Sequence, residues 1–310
     1  MKHLALGPGR EFDAIRALIA QWGETAQGLG DDAALVDIPK GSRLVISVDA
    51  SVEDVHFKRD WLTPEEIGWR ATAAAISDLA AMGAEPIGLL LALSVPPRWM
   101  PEIMALGAGV AAAARFAGMP IIGGDTTGGE LLTLSLTVLG AARSPLSRSG
   151  ARPGDIIYVT GRLGGPSAAL RALALGETPA PAHRARFAHP EPRLAAARWL
   201  AERGATAAID VSDGLAADLR HVAAASDVTL ALDVERVPML PGVTPDDALA
   251  GGEEYELAVT SGALDTAAFE AAIGVPLTAI GEVRAGPPEV RAKQGRKRVD
   301  LPGGHDHFSS

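Results

Sequence analysis

The chain has 310 residues, 47% of them hydrophobic but only 4% aromatic, and a net charge of −10. That length suits one large or two ordinary domains packed with Ala, Leu, Val and Ile, and the acidic balance argues against a general nucleic-acid binder. With no cysteine in the sequence, disulfides, thiolate metal sites and cysteine nucleophiles are excluded.

Taken in order, apolar spacing predicts a helix over residues 11–22, a turn at Gly28–Asp32 and a short strand over 33–38. A strand then ends on Asp49. Thr63-Pro64-Glu65-Glu66 reads as a helix start, with Thr as N-cap, Pro at the first position and acids in the first turn; the helix runs through Asp78 and stops near Gly83. Residues 89–95 form a strand, 101–117 an Ala-rich helix, and 121–125 and 131–141 two more strands. The most apolar segment, residues 87–95, is far below a membrane span of about 20 residues, and residues 1–10 hold no apolar stretch of signal-peptide length. A soluble cytoplasmic protein with no membrane partner is the expectation. The Pro-, Gly- and Ser-rich loop 144–154 is the best domain boundary. We divide the chain into residues 1–148 and 149–310. Beyond the loop come a strand at 155–160, a helix at 167–175, a Pro-rich loop over 177–192, helices at 193–203 and 214–226, and strands near 228–233, 255–260 and 276–283. The basic segment 291–298 reads as a solvated strand-turn-strand edge. Alternating helices and strands in both halves predict two α/β units.

Three of the apolar runs close on an acid: Asp49, Asp125 after Gly123-Gly124, and Asp210, followed by Val-Ser212-Asp213-Gly. Acids at strand ends stand at the mouth of a sheet, where α/β proteins bind ligands. With Asp31 and Asp32 upstream they read as oxygen ligands for hard cations such as Mg²⁺. Each has a plainer reading alone: a turn acid at Asp32 or Asp49, a helix cap at Ser212 or Asp213. Asp78 interrupts an apolar helix, where an unpaired carboxylate is costly, so a metal ion or Arg70 should partner it. No Gly-x-x-x-x-Gly-Lys-Ser/Thr occurs, so a bound polyphosphate would be neutralised through metals on carboxylates and a few arginines. The N-terminus of the helix after Asp213 is itself an anion site.

Gly30-Asp-Asp-Ala-Ala34, Ser47-Val-Asp-Ala-Ser-Val-Glu-Asp-Val-His-Phe57, Ser77-Asp-Leu-Ala-Ala-Met-Gly-Ala84, Gly123-Gly-Asp-Thr126, Ser147-Arg-Ser-Gly150, Asp210-Val-Ser-Asp-Gly-Leu215 and Gly251-Gly-Glu-Glu-Tyr-Glu-Leu257 resemble the thiamine-monophosphate kinase family, nearly end to end. That family shares its ATP-binding fold with aminoimidazole ribonucleotide synthetase. The resemblance implies a two-domain α/β fold. Its N-terminal domain pairs with a twin in a homodimer with a shared β-barrel, and its C-terminal α/β domain closes the ATP cleft. The implied reaction is ATP plus thiamine monophosphate giving ADP plus thiamine diphosphate, by direct in-line transfer with several Mg²⁺ ions. The implied roles are Mg²⁺ binding by Asp32, Asp78 and Asp210 and by Asp213. Asp49 and Asp125 would share another ion, helped by Ser47 and the backbone at Val48. Gly124, Asp125, Arg148 and Ser212 would contact ATP. His56 and Glu253 would contact the thiamine phosphate, with His305 standing where the family usually has a substrate-covering aromatic. Asp49, Asp78 and Asp210 would be the catalytic carboxylates. The competing readings are a sister enzyme such as aminoimidazole ribonucleotide synthetase, disfavoured by the His56 and Glu253 segments, and a non-catalytic Mg-nucleotide-binding protein. The missing cysteine disfavours selenophosphate synthetases and hydrogenase-maturation proteins.

Overall fold

Helix α1 (Arg10–Trp22) opens the chain in the computed structural model, which describes residues 3, 10–30 and 32–303. Asp31 and His305 lie outside the described residues. Two units divide the chain: residues up to Leu79 with Glu85–Arg143, and Ala80–Ala84 with Ser144 onward. Among the described residues no helix is long and apolar enough to cross a membrane.

The first unit continues with β1 (Arg43–Val52), α2 (Pro64–Ala81), β2 (Glu85–Val95), α3 (Ile103–Phe116), β3 (Ile121–Gly128) and β4 (Thr133–Ala142). Its four strands form one sheet in the order β1-β4-β2-β3, antiparallel except for the parallel β2–β3 pair. Period-2 alternation splits the sheet into two faces. Leu89, Leu91 and Leu93 of β2 pair with Val138, Leu136 and Leu134 of β4 on a fully buried face. Thr63 caps α2 as expected, and the cap is a reciprocal capping box: the Glu66 N–H donates to Thr63 Oγ1 (3.2 Å) and the Thr63 N–H to Glu66 Oε2 (2.8 Å).

The second unit holds β5 (Ile156–Thr160), α4 (Gly165–Ala174), α5 (Pro181–Ala188), α6 (Leu194–Glu202), β6 (Ala207–Asp210), α7 (Leu215–Ser226), β7 (Thr229–Asp233), α8 (Pro245–Leu249), β8 (Leu257–Ser261), α9 (Thr266–Ile273), β9 (Leu277–Arg284), β10 (Glu289–Gln294) and β11 (Lys297–Val299). A mixed seven-stranded sheet runs β11-β10-β7-β9-β5-β8-β6. Alternate residues feed two cores. Ile157, Val159 and Ile209 pack with Leu215, Leu219 and Val222 of α7. Tyr158, Ala208 and Leu257 pack with Trp199, Leu200 and Phe269 of α6 and α9. The Trp199 and Phe269 rings meet edge to face at 5.1 Å.

Four expectations need correction. Residues 33–38 form no strand: Leu35 is 81% exposed and the segment has no ladder partner. The Pro-rich stretch holds α5, because Pro181 at the first helical position has no N–H to leave unpaired. Strand β1 runs three residues past Asp49 and β3 three past Asp125, so neither acid ends its strand. Ala50-Ser51-Val52 carries no turn former and finds partners in Thr133–Ser135. Only Asp210 ends its strand.

Candidate active site

In the first unit the predicted residues fall into two groups. Ser47 and Asp49 lie two apart on β1 and so share a face; Ser47 Oγ donates to Asp78 Oδ2 of α2. Asp78 is half-buried within a run of α2 that is otherwise buried from Ala71 to Ala81, apart from it alone. Its hydroxyl partner answers the cost of placing a carboxylate there. The second group surrounds a cavity of about 600 Å³ whose lining includes Trp22, Leu29, Asp32, Leu90, Gly124 and Asp125.

These groups differ from the expected pairings. Asp49 lies in a row with Leu136, Leu91 and Gly124, whereas Asp125 lies in the row of Ala92, Ser135 and Ala50. Within one chain the two acids therefore sit on opposite faces and on strands separated by three spacings, roughly 14 Å. The sheet does not bring them together, and Asp32 lines the same cavity as Asp125. Gly124 also has a local reason: a Cβ there would lie 2.1 Å from the Leu91 carbonyl oxygen, so the close approach it permits is that of strand β2. Val48 points the other way from Ser47 and is 63% exposed.

His56 sits in a tight turn after β1. Asp54 takes a positive φ of 65°, a conformation Asp tolerates better than most residues. Glu53, buried at the root of the turn, accepts from Trp99 Nε1 (3.0 Å), the Leu132 N–H (3.0 Å) and Arg98 (2.7 Å). The Val52 N–H donates to His56 Nδ1 (3.1 Å) and Arg70 donates to the His56 carbonyl (3.1 Å). An accepting Nδ1 leaves Nε2 as the nitrogen that carries the proton in the neutral ring.

In the second unit Asp210, 4% exposed, ends β6, and Ser212 and Asp213 form the turn into α7. Neither caps the helix. Gly214 is the N-cap, and the Ser212 and Asp213 N–H groups both donate to Asp218 Oδ2 in the first turn (3.0 and 3.2 Å). Two backbone donors just ahead of the helix are thus engaged by a carboxylate. Burial, then the charges of Asp210 and Asp213, push Asp218 up to about 7. Arg148 is tied to the other end of the same helix, its carbonyl accepting from Ser226 Oγ (3.0 Å). A 12-residue helix is roughly 18 Å long, so Arg148 and Ser212 mark separate places.

The Glu253 loop is laced to this turn. The Glu253 N–H donates to the Ser212 carbonyl (2.7 Å), the Tyr255 N–H to the Val211 carbonyl (2.9 Å), and the Val211 N–H to the Glu256 carbonyl (2.8 Å). Glu253 and Tyr255 both carry positive φ, 64° and 52°, a strain of order 1–3 kcal/mol each that the surroundings must hold. The holding groups are Glu254 and Glu256, both buried, the latter gripped by Arg186, Arg193 and Thr160. Glu254 is pushed up to about 8, first by burial; Arg186 and the Gly164 N–H oppose this, while Glu256 and Asp247 add to it. From its ordinary value near 4.5 up to about 8, the folded chain then keeps a proton that the unfolded chain loses. Stability should fall as pH rises through that window, and Glu254→Gln should flatten the fall. Thermal melts from pH 5 to 8 on both proteins check this; parallel slopes would refute it.

Among the described residues no three His, Asp or Glu side chains form a ready-made metal cluster. The donors nonetheless suit Mg²⁺: they are oxygens throughout, and the mutual repulsion of Asp210, Asp213 and Asp218 is what a cation would relieve.

The family "AIR synthase related protein, N-terminal domain" matches residues 30–142, and "AIR synthase related protein, C-terminal domain" matches 152–293. Thiamine-monophosphate kinase of Salmonella typhimurium is 38% identical over 97% of this chain and 97% of its own length. The chain belongs to the thiamine-monophosphate kinase family. Among solved structures, the family's enzyme from Stenotrophomonas maltophilia is 36% identical with a TM-score of 0.81, covering 93% of this chain and 96% of that one. AaThiL complexed with AMPPCP and TMP is 28% identical with a TM-score of 0.77, covering 96% and 97%. Set in this family, the residues that sequence reasoning passed over are Glu53, Asp218, Glu254, Glu256, Arg186 and Arg193. Each supports a motif residue from behind. The only signal in the sequence was an acid in the first turn of α7 and acids beside an apolar strand.

Proposed function

We propose that this chain transfers the γ-phosphoryl group of ATP to thiamine monophosphate, giving thiamine diphosphate and ADP. The observation that carries the reading is the end-to-end likeness to thiamine-monophosphate kinases, over 97% of both lengths. The acceptor is a phosphate oxygen already anionic at neutral pH, so no strong general base is required. The obstacle is repulsion between two polyanions. Magnesium ions held by the carboxylates supply the neutralising charge. We assign Ser47, Asp49 and Asp78, with the backbone at Val48, to one cation position, and Asp32 and Asp125 to another. Asp210 and Asp213 serve the same role in the second unit. Gly124, Asp125, Arg148 and Ser212 contact ATP, Arg148 and Ser212 at different parts of it. His56 donates Nε2–H to the substrate phosphate, and Glu253 and His305 contact the thiamine. The division of roles places cation and ATP binding with dimerisation in residues 1–148 and the remaining contacts in 149–310. The test is ADP release with and without thiamine monophosphate and Mg²⁺. Release that needs neither, or that follows an aminoimidazole ribonucleotide precursor instead, refutes the assignment.

The homodimer belongs to the same reading. Strand β1 is an edge, and one of its faces exposes Leu44, Ile46 (58%) and Val48 (63%). An exposed apolar edge strand invites pairing with another chain, and two four-stranded sheets joined edge to edge make an eight-stranded barrel. Ile46→Glu should therefore halve the mass measured by light scattering; an unchanged mass places the interface elsewhere.

A further inference from the structure

We propose that Asp218 is a positioning residue for the cation-binding turn: its buried carboxylate fixes the backbone of Ser212 and Asp213 and so sets the aim of the Asp210 and Asp213 carboxylates. The proposal rests on the reading of Asp210 and Asp213 given above.

Asp218 is 2% exposed. An acid placed only to complement a helix N-terminus would stay in solvent, where that interaction is worth about 0.3–1 kcal/mol. Burying a carboxylate costs more than that unless hydrogen bonds repay it. Here two backbone donors converge on one oxygen, Ser212 N–H at 3.0 Å and Asp213 N–H at 3.2 Å. Both bonds fall on successive residues, so one oxygen fixes the backbone of the turn at two points. The N-cap itself is Gly214, with no side chain to do the work.

The turn is held from its other side as well. Its carbonyls at Val211 and Ser212 accept from Tyr255 and Glu253. A Cβ on Gly252 would lie 2.3 Å from the Ser212 carbonyl oxygen, so the two segments run in direct contact. Asp218 thus grips the donors of a turn whose acceptors carry the Glu253 loop. Releasing Asp218 loosens both the Asp213 carboxylate and the substrate-facing Glu253.

The experiment uses the full chain with Asp218→Ala and Asp218→Asn. Amide hydrogen exchange is followed without metal, Mg²⁺ binding by calorimetry, and Mg²⁺ activation by ADP release. Loss of an outer residue that orients a ligand typically weakens metal binding about 10–100-fold. We expect Asp218→Ala to raise half-saturating Mg²⁺ about tenfold or more and to deprotect the Ser212 and Asp213 amides, with β6 and β8 unchanged. The Asn oxygen can still accept from the two amides, so Asp218→Asn should give a smaller change than Asp218→Ala, below about tenfold. A purely structural role would lower the melting temperature and leave Mg²⁺ half-saturation and those two amides as in the unmodified protein; that result overturns the proposal. If the Ala variant does not fold, the Asn variant decides on the same two readouts. Failure of the unmodified protein to turn over thiamine monophosphate would instead overturn the functional reading, while exchange and calorimetry still judge Asp218.

Discussion

Asp78→Asn should lower thiamine-monophosphate-dependent ADP release by about 10²–10³-fold, the range seen when one charge-stabilising group is removed from a reacting centre. The substitution is nearly isosteric. The amide oxygen can still accept the Ser47 hydroxyl, so the contact between β1 and α2 persists. The residues around it in α2 are buried and mostly apolar, and a neutral amide is easier to hold there than a carboxylate. Melting temperature should therefore hold or rise slightly while turnover collapses. Asp49→Asn and Asp210→Asn should behave alike in turnover, while Asp37→Asn, in the exposed segment before β1, should match the unmodified protein. The measurement is ADP release at saturating ATP and thiamine monophosphate over a range of Mg²⁺, beside a thermal melt. Near-normal turnover in Asp78→Asn would remove the carboxylate from the chemistry.

Much of the scaffold was readable because its signals are local. Thr63 caps the helix as expected, Gly83 turns the chain at φ 61°, and the Asp210-to-Leu215 segment does pass from strand to helix. What failed was set by distant partners. Asp49 looked like a strand end because an apolar run stopped there, yet β4 is long enough to pair three residues further. Asp49 and Asp125, expected to share an ion, lie on non-adjacent strands of the one-chain sheet, and strand order is not written in local periodicity. In Glu253-Glu254-Tyr255-Glu256 the local sequence shows only a charged segment. Two of its acids turn inward because Arg186 and Arg193 arrive from 63 to 70 residues away in sequence. Asp218 shows in the sequence only as an acid near the start of α7, because its partners are backbone N–H groups of an irregular turn, which leave no residue pattern.

Glu256→Gln should destabilise the second unit by about 3–5 kcal/mol, the cost of removing one partner from a buried ion pair. Glu256 is 1% exposed. Its Oε1 accepts from Arg186 (2.8 Å) and Arg193 (2.6 Å), and its Oε2 from Arg193 Nε (2.7 Å) and Thr160 Oγ1 (2.6 Å). A glutamine must turn its NH₂ toward donors at one end, so the fork of Arg193 loses its two-pronged acceptor and two largely buried guanidiniums lose their shared counter-charge. Burial pushes the Glu256 carboxyl up, but the charges of Arg186 and Arg193 and the hydrogen bonds outweigh it and hold the group below its ordinary value near 4.5. Its contribution is therefore complete above about pH 4.5 and lost as pH falls through the lower folded-state value. Urea unfolding should show the full gap between variant and unmodified protein at pH 7 and a shrinking gap below pH 4.5. The backbone consequence separates this from a generic core defect. The Glu256 carbonyl accepts the Val211 N–H beside Asp210, so the weakened clamp reaches the cation-binding turn. Conditions that keep the variant folded should still show reduced turnover and weaker Mg²⁺ binding. Equal stability at pH 7 would mean that the two arginines are satisfied without Glu256, and the account of the strained Glu253 loop would fall with it.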